Sequence, residues 1–166
     1  MVLTPHAVVG AALASMVPAN PALGFVLAFG SHFLLDGIPH WHYSLKSVVH
    51  DPSNPMNIDM PMGKKFVRDL GMISLDGFTG LAIPLLFFAS QSPALLLPAI
   101  IGAIGGMLPD VLQFVYMKWR HEPLVSLQRF HDWIHASISL DHQHILGPLY
   151  QVAIVVLVLV VQGVVL

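Results

Sequence analysis

Residue types that commonly bind metals stand four residues apart at two places in this chain. His32 and Asp36 form one pair, and His131 and His135 form the other. Residues four apart are neighbours on one face of a helix, so each pair can bind one ion. The chain has no cysteine, and imidazole with carboxylate is a usual ligand set for zinc, manganese or iron. The spacing therefore predicts a divalent metal site, most simply zinc, with one or two ions.

Small residues lead up to several of these side chains, also in steps of four. Small residues let membrane helices approach closely, and an acid inside an apolar helix is costly and usually functional. The small-residue ridges are His6-Gly10-Ala14, Gly24-Ala28-His32-Asp36, Asp76-Gly80 and Gly102-Gly106-Asp110. We predict a ligand set comprising His6, His32, Asp36, Asp76, Asp110, His131 and His135.

Such a site could hydrolyse esters. A bound metal lowers the pKa of its water to about 7, which supplies a nucleophile at neutral pH. Asp76 or Asp110 could act as general base, and Arg68 or Arg129 could bind an anionic part of the substrate. The chain lacks Gly-x-Ser-x-Gly, phosphate-loop and His-Glu-x-x-His motifs; it therefore offers no support for a serine hydrolase, a nucleotide enzyme or a zincin.

The remaining polar residues are either left without an assigned role or expected to lie in solvent. The spacing leaves the roles of His40, His142 and His144 open. His42, His50, Asp51, Asp59 and His121 are expected to be solvated loop residues. Asp69 is expected to form a solvated ion pair with Lys65 or Arg68.

The elements that carry these residues are predicted to be helices. Helix starts are marked by a capping residue followed by proline at Thr4-Pro5, Asn20-Pro21 and Ser92-Pro93. A polar loop covers residues 40–63. The predicted helices run over residues 4–17, 21–39, 64–90, 92–118, 123–139 and 144–166. The fifth is shorter and amphipathic, and is expected to lie at the membrane interface.

Composition indicates an integral membrane protein. Of 166 residues, 55% are hydrophobic and 10% are charged, whereas soluble domains carry about 25% charged residues. We predict one all-α transmembrane domain over residues 1–166, with about five spanning helices and one interfacial helix. The net charge of −2 argues against a nucleic-acid partner. The oligomeric state stays open.

Charge distribution predicts the orientation. The basic residues fall in two regions, 46–68 and 118–129, which share one side if the first four helices alternate in direction. The positive-inside rule makes that side cytoplasmic, in the cytoplasmic (inner) membrane. The N-terminus and all ligand candidates then lie near this cytoplasmic face. The N-terminus lacks the basic residues of a signal peptide and is expected to be retained.

Three short elements resemble a known family. Thr4-Pro5-His6-Ala7-Val8-Val9-Gly10 resembles the N-terminal His-x-x-x-Gly element of bacterial membrane-bound metal-dependent hydrolases. Gly106-Met107-Leu108-Pro109-Asp110 is similar to that family's Leu-Pro-Asp element, although Val111-Leu112-Gln113 replaces the usual second Asp and His. Phe130-His131-Asp132-Trp133-Ile134-His135-Ala136-Ser137 is similar to its His-x-x-x-His-Ser element. The resemblance implies a multi-helix inner-membrane protein and a hydrolytic reaction class.

Three functions are compatible with these patterns. The first is a metal-dependent hydrolase acting on an ester or phosphoester of a membrane lipid or another amphiphile at the cytoplasmic face. The second is an ion or proton transporter using the same acids and histidines; it requires polar residues reaching the opposite face, yet segments 23–27, 81–88 and 94–101 are almost wholly apolar. The third is a non-catalytic bundle in which the metal only ties helices together.

Overall fold

The chain is mostly helical. A computed structural model describes residues 1–165, and within that range it contains six α-helices and no β-strand. The all-helical prediction is therefore confirmed. The helices are α1 (Leu3–Ser15), α2 (Pro21–Asp36), α3 (Lys64–Gln91), α4 (Leu96–Lys118), α5 (Leu124–Ile134) and α6 (Leu146–Val165), with a 3-10 turn (Pro93–Leu95) entering α4.

Three of these helices are long and apolar enough to cross a membrane. They are α3, α4 together with its entering 3-10 turn, and α6, with lengths of 28, 26 and 20 residues. Helices α1 and α2 are apolar but shorter, with 13 and 16 residues. The predicted membrane character is thus supported by three helices, while five spans stay a prediction.

Helix α1 lies at the centre of the bundle. It packs against α2, α3, α4 and α6, and its contact with α4 is the most extensive. A helix that is apolar on every side is suited to such a buried position. The core beside it contains Ala7 and Ala11 of α1, Phe88 of α3, and Ala99 and Ala103 of α4.

The small-residue ridges bring α1 and α4 into backbone contact. A Cβ added at Gly102 would lie 2.7 Å from the Cα of Ala11, and one added at Gly10 would collide with the carbonyl oxygen of Gly102. A Cβ at Gly106 would likewise collide with the carbonyl oxygen of His6. The prediction that these glycines lie where helices touch is confirmed, and the contact places His6 directly beside α4.

Two helices end earlier than predicted. Helix α2 ends at Asp36 rather than Pro39, and α5 ends at Ile134 rather than Ser139. The segments that follow them lie side by side: the amide of Ala136 donates to the carbonyl of Asp36 (2.8 Å) and the amide of Leu140 to that of His40 (2.9 Å). The backbone groups of these segments therefore form long-range hydrogen bonds with each other instead of the helical hydrogen bonds of the predicted last turns.

The long loop of residues 40–63 folds over the end of α4. The Lys118 ammonium donates to Asp59 at 2.7 Å, and the Tyr116 hydroxyl donates to the carbonyl of Met56 at 2.7 Å. Lys46 of the same loop and Lys64 at the start of α3 line one surface cavity. The basic residues of the loop, of α3 and of α4 therefore lie at one end of the bundle, as the sequence predicts.

Candidate metal centre

Asp36, the last residue of α2, lies at the centre of a cluster of histidines. Its Oδ2 is 2.9 Å from Nε2 of His131 and 3.1 Å from Nε2 of His32. Its Oδ1 is 3.2 Å from Nε2 of His6 and 3.6 Å from Nε2 of His40. The Asp36 side chain is only 2% exposed, so this carboxylate requires positive partners.

Four residues form a first group of possible metal ligands. One ligand atom from each of His32, Asp36, Asp110 and His131 lies within 4.8 Å of all the others. Nε2 of His32 is 3.4 Å from Nε2 of His131 and 3.7 Å from Oδ1 of Asp110. Zinc–ligand bonds of about 2.0–2.1 Å in a tetrahedron place ligand atoms about 3.3 Å apart. The spacing in this first group fits that geometry.

Hydrogen bonding fixes which His32 nitrogen faces the group. Its Nδ1 is 2.8 Å from the carbonyl oxygen of Gly106, which only accepts, so Nδ1 carries the proton. A neutral His32 then directs the lone pair of Nε2 at the Asp36 carboxylate and at His131. A metal ion between these atoms would bond to all four ligand atoms, whereas a proton would join only two of them. Backbone carbonyls orient metal-binding histidines in this way.

His6 lies beside this first group. Its ring stacks on that of His32 with centroids 3.9 Å apart, and it is completely buried. Among the described residues neither ring nitrogen has a hydrogen-bond partner, because the 3.2 Å approach to Asp36 lies outside hydrogen-bonding geometry. A buried imidazole without a partner is costly, and a cation next to Asp36 would satisfy its Nε2.

A second group consists of His40, His42 and His135, whose ligand nitrogens also lie within 4.8 Å of one another. Burial lowers the pKa of all three imidazoles, that of His40 to about 3. They are therefore neutral at pH 7, as metal binding requires. The prediction that His42 is a solvated loop residue is wrong, since it is half-buried in this group. His131 and His135, predicted to bind one ion together, belong to different groups.

Asp76 of α3 lies elsewhere, with its carboxylate beside the first turn of α1. Its carboxylate accepts from the amides of Leu3 (2.7 Å) and Thr4 (3.1 Å) and from the Thr4 hydroxyl (2.7 Å). These amides belong to the first turn of α1, which has no partner of its own for them. The structure thus does not bring Asp76 to the other predicted ligands or to a base position; it makes the carboxylate a cap of α1.

The two predicted substrate-binding arginines are also outside both groups. Arg68 pairs with Asp69 at 2.9 Å, and Arg129 is exposed on α5. The Arg68–Asp69 pair was predicted, but it is not solvated on both sides. The Asp69 side chain is fully buried and accepts from the amide and hydroxyl of Ser47, each at 2.7 Å.

The amino nitrogen of Met1 also lies in this region. It is 2.6 Å from Oδ1 of Asp36 and 3.4 Å from Nε2 of His42. As an ammonium it donates to the carboxylate and supplies one positive charge on the side of Asp36 that faces the second group.

The structure thus brings together six of the seven predicted ligands, Asp36 and all the others except Asp76, and adds His40 and His42. His40 continues the step of four from His32 and Asp36, which could have identified it. His42 has no such spacing. Comparison with known proteins adds no assignment, because no protein-family model, no curated protein and no solved structure matches the chain.

Proposed function

We propose that this protein is a membrane-embedded metal-dependent hydrolase. The observation that carries the proposal is the first group, in which His32, Asp36, Asp110 and His131 present four ligand atoms within 4.8 Å of one another. A mixed imidazole and carboxylate set suits zinc, with manganese or iron as alternatives. When bound, such a cation supplies an activated water at neutral pH and polarises the substrate oxygen.

The residues of this group divide into buried and accessible members. The side chains of His32 and Asp36 are 0% and 2% exposed, whereas that of Asp110 is 28% exposed. Asp110 is therefore the carboxylate that solvent and substrate can reach, and it can accept a proton from an attacking water. His32 and Asp36 are held in place, by the carbonyl of Gly106 and by the amide of Ala136 that binds the Asp36 backbone.

We infer the substrate class from the surroundings of the site. The helices that carry the ligands also carry exposed apolar side chains, including Leu34 (70% exposed) on α2, Val111 (52%) on α4 and Trp133 (77%) on α5. Such side chains are expected to face lipid. An amphiphilic ester or phosphoester could therefore reach Asp110 while its acyl part stays in the bilayer.

The membrane setting completes the proposal. The basic residues at the ligand end favour the cytoplasmic face of the cytoplasmic (inner) membrane, with the N-terminus on that side. We infer that α1 and α2 contribute to the membrane domain together with α3, α4 and α6, giving about five spans. The motif resemblance to membrane-bound metal-dependent hydrolases supports the same reaction class.

The test combines metal analysis with a lipid-ester screen. The protein is purified in detergent without chelator, supplied with zinc, and assayed on phosphatidic acid, phosphatidylglycerol and a p-nitrophenyl acyl ester. Asp36→Asn should lose both metal and turnover, whereas Asp51→Asn, in an exposed loop, should keep both. Turnover that survives in metal-free Asp36→Asn would contradict the proposal. Bound metal without turnover of any ester class would favour the metal-tied bundle instead.

A further inference from the structure

We propose that His40, His42 and His135 form a second cation site, adjoining the first and sharing Asp36 with it. The inference extends the metal centre of the proposed function. It assigns a three-histidine ligand set for a borderline divalent cation such as zinc, and it predicts a two-ion centre.

The three imidazoles direct lone pairs at one another. Nδ1 of His40 is 2.6 Å from the carbonyl of Ile38, and Nδ1 of His135 is 3.2 Å from that of Ala136. Because a carbonyl oxygen only accepts, Nδ1 of His40 and Nδ1 of His135 must each donate. In the neutral rings this leaves Nε2 of each histidine unprotonated. Nδ1 of His42 faces the carboxylate of Asp141 at 3.3 Å and donates in the same way.

The consequence is an unfavourable contact that a cation removes. Nε2 of His40 and Nε2 of His42 are 2.9 Å apart, and in the neutral rings neither carries a hydrogen. Two lone pairs at this distance repel each other. A metal ion bonded to both converts the repulsion into two bonds, and His135, whose ring centroid is 4.8 Å from that of His40, can supply the third.

Hydrogen bonds between two loop segments fix the positions of these three histidines. His40 and His42 lie in the loop after α2, and His135 follows the end of α5. Besides the Ala136–Asp36 and Leu140–His40 hydrogen bonds, the amide of His42 donates to Asp141 at 2.7 Å. The ligand segments are thus fixed to each other before any ion binds, which lowers the entropic cost of binding.

Asp36 connects the two sites. Its Oδ2 faces His32 and His131 of the first group, while its Oδ1 is 3.6 Å from Nε2 of His40. One carboxylate oxygen per ion is the bridging arrangement of two-metal hydrolytic sites, in which the ions lie about 3.5–4 Å apart. The Met1 ammonium near Oδ1 repels a second cation, as does the first ion. The second site should therefore be the weaker one.

Solvent can reach the second site. A cavity of about 280 Å³ adjoins His42 and is lined by Trp41, His42, Tyr43, Ser44, Asp141 and His144. An ion can exchange through this opening, and it also provides space for the polar part of a substrate.

The test is zinc stoichiometry, measured by equilibrium dialysis and elemental analysis on the full chain in detergent micelles. The unmodified protein should bind two zinc ions in two steps, and His135→Ala should bind one, in the tighter step. His42→Gln should behave like His135→Ala, and His50→Ala, in an exposed loop, should still bind two. Size-exclusion elution and thermal unfolding of each variant identify any that misfold.

The outcomes separate this inference from the proposed function. One zinc ion in the unmodified protein, or two in His135→Ala, overturns the second site. One ion with ester turnover leaves the proposed function standing, and two ions without turnover support the second site alone. With manganese, exchange-coupled electron paramagnetic resonance lines should appear in the unmodified protein and disappear in His135→Ala.

Discussion

Replacing Gly102 by alanine tests the contact that places α1 against α4. The added Cβ would lie 2.7 Å from the Cα of Ala11 and 2.7 Å from the Cβ of Ala14, and closer still to the carbonyl of Gly10. These atoms belong to a helix backbone or sit directly on it, so no flexible side chain can give way. The two helices must move apart by roughly 0.7–1 Å, which forfeits a large part of their dispersion contacts.

The magnitude follows from two opposing effects. Inserting a methyl group into a rigid contact costs about 2–3 kcal/mol, and alanine is favoured over glycine in a helix by about 1 kcal/mol. The expected loss is therefore about 1–2 kcal/mol, or about a 5- to 30-fold change in the folding equilibrium. Because α1 carries His6 and α4 carries the Gly106 carbonyl that orients His32, zinc affinity should fall as well.

The assay is unfolding in mixed micelles with increasing dodecyl sulfate, followed by circular dichroism. Gly30→Ala and Gly71→Ala are matched controls, because a Cβ at either helical position meets no atom within 4 Å. Both controls should be as stable as the unmodified protein or slightly more so. If Gly102→Ala unfolds at the same denaturant fraction as these controls, α1 and α4 do not make this close contact.

Three further outcomes are expected. Asp76→Asn should lose about 1–2 kcal/mol of stability, because the charged cap of α1 becomes a neutral one. Its zinc content in elemental analysis should stay unchanged, and a loss of zinc would return Asp76 to the ligand set. Gln151→Leu should lose about 1 kcal/mol in the same unfolding assay, since Gln151 donates to the carbonyl of Trp41 at 2.6 Å; equal stability would exclude that tie between α6 and the loop. Phe88→Ala, fully buried in the core, should cost about 3–5 kcal/mol, and a variant that unfolds like the unmodified protein would contradict the described core.

The part of the site that lies on helices could be predicted from the sequence. The step of four between His32 and Asp36 places both side chains on one face of α2, and the small residues of α4 indicate where that face meets its neighbour. His131 likewise lies on a helix, α5, and its side chain is directed by the periodicity of that helix. For such residues helix periodicity alone determines the direction of the side chain.

The rest depended on contacts that no local pattern encodes. Asp76 has the spacing expected of a ligand, but its carboxylate meets the free amides of α1, and spacing does not reveal that partner. His42 joins the centre because the segment after α2 pairs with the segment after α5, about a hundred residues along the chain. The same pairing ends α5 at Ile134, five residues before its amphipathic pattern ends.

Asp36 is proposed as the shared ligand of a two-ion metal centre. Anomalous diffraction at the zinc absorption edge, from crystals of the zinc-supplied protein, tests this proposal most directly. We expect an anomalous peak within about 2.0–2.2 Å of an Asp36 oxygen, from an ion bonded also to His32 and His131, and a second, weaker peak beside His40 and His42. Zinc peaks only at surface residues, with Asp36 bonded to no ion, would contradict it.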